Sequence, residues 1–71
     1  MRTAPEIARD VVEALRLHAG VPDKKIKVIV ANGFVTLTGT SDWHHELENA
    51  EIAAHSVNGV RGIVNILEIK P

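Results

Sequence analysis

His45-Glu46-Leu47-Glu48-Asn49 starts like the helical zinc-site pattern H-E-x-x-H but has asparagine where the second imidazole would stand. No metal pair forms there. His44 and His55 are no substitute, since eleven helical residues at about 1.5 Å each put them roughly 16 Å apart. Nucleophilic catalysis lacks its parts as well. Cysteine is absent, and Ser41 and Ser56 fall on or beside the second predicted helix without a triad partner in sight. Glu46, Glu48 and Glu51 follow the spacing of a solvated helix face, which is not that of an acid–base pair. Gly59-Val60-Arg61-Gly62 matches the G-x-x-G loop of KH domains in letters only, because it joins a helix to a strand where that loop joins two helices. The sequence has no lysine-bearing phosphate loop. Gly33, Gly39 and Gly59 have backbone explanations: one completes a turn, one ends a strand, one ends a helix. These residues predict a module with no catalytic machinery, no metal and no cofactor.

The elements that carry them fit one domain spanning 1–71, since a chain of 71 residues buries one small core. With no cysteine to cross-link it, its net stability is expected on the order of 3–5 kcal/mol. A 45% apolar composition with strong periodicity argues for a folded chain. The net charge of −1 and pI near 6.4 supply no basic field for nucleic acid, and Phe34 is the only aromatic on the expected sheet, so no stacking platform exists. Nucleic acid is therefore not an expected partner. No continuous apolar stretch reads as a signal peptide or a membrane span.

Thr3 and Glu6 have capping-box spacing, and Pro5 suits a first helical turn. The helix they open carries Ile7, Val11, Ala14, Leu15 and His18 on one stripe, with Glu6, Arg9, Asp10, Glu13 and Arg16 on the other side, and stops at Gly20 before Val21-Pro22. Ile26–Ala31 and Phe34–Thr40 read as a hairpin closed by Asn32-Gly33 in a type I′ turn. Val30 then faces Val35 and Val28 faces Leu37. Ile26, Val28, Val30, Val35 and Leu37 point toward the helices, and Lys27, Ile29, Ala31, Phe34, Thr36 and Thr38 point away. Ser41 or Asp42 is the expected cap of a second helix, on which Trp43, Leu47, Ala50, Ala54 and Val57 form the buried stripe up to Asn58-Gly59. The alternation from Gly62 to Lys70 predicts a third strand, with Ile63, Asn65, Leu67 and Ile69 on one side and Val64, Ile66, Glu68 and Lys70 on the other. The expected fold class is α+β, in the order α-β-β-α-β. Two helices cover one face of a three-stranded mixed sheet.

Ile26-x-Val28-x-Val30-x-Asn32-Gly33-x-Val35-Thr36-Leu37-x-Gly39, then Trp43, Ala50 and Gly59-Val60-x-x-Ile63-x-Asn65-x-Leu67-x-Ile69, resemble the BON domain, the bacterial osmotically inducible and nodulation family. The likeness runs along nearly the whole chain. The stretch from Trp43 to Pro71 looks most like the subgroup with tandem copies. What the resemblance implies is a non-enzymatic module of periplasmic or other envelope proteins, linked to osmotic stress, that contacts phospholipid or other proteins. Three positions depart from the family pattern. Ser41 stands where an apolar residue is usual, which leaves the end of the second strand open, and Val64 and Ile66 are apolar where the last strand often carries polar groups.

If the alternation holds, Ile29, Phe34, Val64 and Ile66 form an apolar patch on the face away from the helices, the kind of cluster that marks an interaction surface. Lys24, Lys25 and Lys27 at the beginning of the hairpin would add weak, salt-sensitive attraction to anionic phospholipid. Trp43 reads first as a half-buried core anchor and second as a lipid contact. Pairing with itself or with further BON copies through the open face is the structural alternative. The resemblance to BON-containing potassium-binding proteins adds small-cation sensing, for which no carboxylate-rich loop supplies a site.

Overall fold

The computed structural model of the chain describes residues 3–70. Helix α1 covers Ala4–Leu17 and starts as its letters dictate: Thr3 Oγ1 accepts from the Glu6 N–H at 3.3 Å, and Glu6 Oε1 accepts from the Thr3 N–H at 3.2 Å. Ile7, Val11 and Leu15 are its buried stripe. His18 caps the far end, and Gly20 takes a φ of +81° in the turn that follows. A single 3-10 turn over Asp23–Lys25, closed by Lys25 N–H on Pro22 O at 2.9 Å, leads into the sheet.

Strands β1 (Ile26–Ala31) and β2 (Phe34–Ser41) pair antiparallel, with Val30 opposite Val35 and Val28 opposite Leu37. Asn32 and Gly33 take φ values of 53° and 82°, both positive as a type I′ turn requires. Strand β2 runs on to Ser41, one residue past the expected end. Gly39 accordingly lies inside the strand and does not end it. Its φ is +127°, and a Cβ there would sit 2.0 Å from the Lys25 carbonyl oxygen, so the chain needs glycine for this close approach.

Helix α2 covers His44–His55. Neither Ser41 nor Asp42 caps it; Trp43 occupies the N-cap position with extended backbone and no side-chain cap bond. The helix also ends earlier than its stripe suggests, so Val57 packs from the following turn, and Gly59 (φ +95°) serves the approach to the next strand without ending the helix. Ala50, Ala53 and Ala54 are buried, and their small side chains let α2 lie close to the rest of the core.

The last strand is split into β3 (Gly62–Asn65) and β4 (Glu68–Ile69), both parallel to β2 and in one unbroken register: Phe34 meets Gly62, Thr36 meets Val64, and Thr40 meets Glu68. Asn65 explains the break. Its Oδ1 accepts the Leu67 N–H at 3.1 Å, while its Nδ2 donates to Leu47 O on α2 at 3.2 Å, so the side chain replaces ladder geometry with a local turn. The sheet order is β1-β2-β3, with β4 on the same side of β2. Both helices lie on one face, α1 against β1 and α2 against β3, as the α-β-β-α-β order requires. Val35 and Leu37 of the central strand are fully buried between them, completing a core with Ile7, Val11, Leu15 and Leu67.

Candidate interaction surface

The sheet face away from the helices is built by alternation alone. Across the strands it reads in rows: Ala31, Phe34 and Gly62; then Ile29, Thr36 and Val64. Lys27 pairs with Thr38, and the Ile66 N–H, bonded to Leu37 O at 3.0 Å, brings Ile66 beside the same position. Ile29, Phe34, Val64 and Ile66 expose between 46% and 55% of their surface, which is high for such large apolar groups. All four therefore share the open face, although Phe34 is more engaged than the others.

Phe34 lies over Gly62, where a Cβ would come within 3.0 Å of the ring, and the Arg61 guanidinium sits 5.3 Å from the ring centroid. Arg61 is itself held by the hairpin turn. Its N–H donates to Gly33 O at 2.7 Å, Nη1 donates to Asn32 O at 3.4 Å, and a Cβ on Gly33 would lie 2.7 Å from the arginine stem. This Arg61–Phe34 pair was missed by the sequence reading. It depends on the parallel register of β2 and β3, which no local pattern encodes.

The lysines divide. Lys27 is exposed on the open face, Lys24 is exposed on the 3-10 turn, and Lys25 is committed to Asp42 through a 3.1 Å ion pair at the end of the sheet opposite the hairpin turn. Trp43 lies near that same end. It is 62% exposed with its ring stacked on His45, centroids 6.4 Å apart, so the expected half-buried anchor is corrected. Two residues earlier the chain is buried: Ser41, only 1% exposed, donates its hydroxyl to Glu46 Oε1 at 2.6 Å, and the Asp42 N–H donates to the same oxygen at 3.1 Å. The serine hydroxyl holds the Glu46 carboxyl below its ordinary range; desolvation, the next largest effect, opposes it, and the Asp42 and Trp43 backbone donors add to the lowering. The buried serine thus has a partner.

Charge is segregated between the layers. Six of the nine acidic residues are on α1 and α2, against two of the eight basic ones, Arg9 and Arg16. The sheet and its connections hold Lys24, Lys25, Lys27, Arg61 and Lys70 against Asp23, Asp42 and Glu68. Among the described residues no cluster of three His, Cys, Asp or Glu side chains could hold a metal ion, and no helix is long and apolar enough to cross a membrane. Val12, Leu17 and Ile52 are further exposed apolar groups, scattered on the helices, which the sequence reading did not single out.

The family model of the BON domain matches residues 3–71. The chain belongs to the BON family. BON domains are small non-catalytic modules, and membership is consistent with an envelope-associated protein. No curated protein matches the chain.

Proposed function

We propose that this BON domain is a binding module of a bacterial envelope or stress-related protein that carries out no chemistry and lays the open face of its sheet on anionic phospholipid. The observation that carries this reading is the composition of that face: Ile29, Val64 and Ile66 are half-exposed, Lys27 and the Arg61–Phe34 pair stand beside them, and most of the acid is on the opposite, helical layer. A headgroup boundary rewards this combination, because apolar groups enter the acyl margin while cations meet the negative surface potential. Each cation near such a surface contributes about 1 kcal/mol, and so few of them make the binding weak and salt-sensitive.

An amide NMR titration with anionic and then zwitterionic phospholipid micelles tests it. Shifts at Ile29, Val64 and Ile66 with the anionic lipid, fading as salt is added, are expected. An unchanged spectrum with both lipids refutes the reading.

A further inference from the structure

The two outer edges of the sheet differ in their protection. On the β3 side, Asn65 Oδ1 occupies the outward Leu67 N–H, the ladder is interrupted, and Glu68 and Lys70 follow. Of these devices the β1 edge has only a single charge. It is six unbroken residues, Ile26–Ala31, without proline or bulge, and Lys27 is its one charge.

We propose that the β1 edge pairs antiparallel with β1 of a second copy of this chain. Because Asn32-Gly33 is a two-residue loop, the closing pair Ala31–Phe34 exchanges both of its hydrogen bonds, and bonded and non-bonded pairs alternate from there. Lys27, Ile29 and Ala31 therefore spend their backbone groups on β2. Ile26, Val28 and Val30 turn their N–H and C=O groups outward, along an edge that no strand among the described residues covers. Their side chains, on the helix side, are only half-buried, whereas Val35 and Leu37 beside them on β2 are fully buried. A further strand completes both deficits.

The strand is its own complement, which is why a second copy is the occupant. The outward residues are evenly spaced about Val28, so a two-fold axis there sets Val28 against Val28 and Ile26 against Val30, with each of these pairs exchanging two hydrogen bonds. Lys27 then faces Ile29 of the other copy and never Lys27, so no like charges oppose each other. The axis stands perpendicular to the sheet. Both helical layers fall on one side and the two open faces join into one surface, twice as wide.

Sedimentation of the chain from micromolar to millimolar concentration, without lipid, tests the pairing apart from any membrane role. The apparent mass is expected to rise from one chain toward two, and amide exchange at Val28 and Val30 to slow with concentration while exchange at Lys27 and Ile29 stays as it was. Ile29→Lys, at a position that is 49% exposed, places like charges across the seam and weakens the dimer, whereas Ile29→Glu faces Lys27 and strengthens it, each by about three-fold or more and reversibly with salt. A single-chain mass throughout, or a dimer in which both substitutions act in the same direction, overturns the proposal.

Discussion

Reversing Lys27 to Glu asks whether the layered charge of this domain orients it on a membrane. Lys27 is exposed on the open face, on the outer strand β1 at the position that pairs with Thr38. One cation near an anionic surface is worth about 1 kcal/mol, and replacing it with an anion adds a repulsion of similar size, so affinity should fall by roughly thirty-fold. Co-sedimentation with vesicles of phosphatidylglycerol in phosphatidylcholine, at low salt, measures the change. Arg9→Glu is the control. It gives the same net charge but places the new carboxylate on α1, and it should cost no more than a few-fold, because α1 stands on the far layer from the membrane. Equal losses in the two variants would mean that only overall charge matters, and the oriented arrangement would be wrong.

Gly39→Ala forces a Cβ to within 2.0 Å of the Lys25 carbonyl oxygen at a φ of +127°, and should lower stability by more than about 2 kcal/mol in urea titrations. Leu37→Ala, at a position with no exposed surface, should cost about 2–5 kcal/mol, enough to leave much of so small a domain unfolded by circular dichroism. The Glu46 carboxyl is held low in the folded state, so its stabilising contribution is present above its unfolded-chain pKa and fades as pH drops through the folded one. Ser41→Ala removes the main cause, and should raise the Glu46 titration midpoint in carboxyl-carbon NMR and flatten the acid limb of stability against pH.

Where neighbouring letters interact with each other, the sequence was readable. Thr3 and Glu6 specify their own reciprocal bonds, and Asn32-Gly33 sets the hairpin register, from which the inward and outward residues of β1 and β2 follow. The register of the last strand against β2 was another matter, since it is imposed by the packing of α2 and brings Phe34 onto Gly62 across the crossover. The alternation of Val64 and Ile66 survived because it belongs to the strand alone. Ser41 misled for a physical reason: serine is a good N-cap, but here its hydroxyl is drawn inward by Glu46, which extends β2, leaves Trp43 outside the helix and frees the indole to solvent. Asn65 in a strand could have been read as a break, because its side chain competes readily with the ladder. The four open-face residues are brought together by the fold, and the chemistry of what meets them is not written in any motif.

The central strand acquires its two neighbours on different timescales. The β1–β2 hairpin closes over a two-residue loop, a microsecond event, whereas β3 reaches β2 only after α2 has been wound and folded back across the sheet. The folding barrier should therefore lie in the crossover, where few contacts offset the entropy of loop closure. Lengthening the segment between α2 and β3 with glycine and serine should slow refolding while costing only about 0.6 kcal/mol of stability for each doubling of loop length. Until that crossover completes, β2 presents an open strand edge with Val35 and Leu37 incompletely covered, so the waiting hairpin is the species most exposed to misassembly.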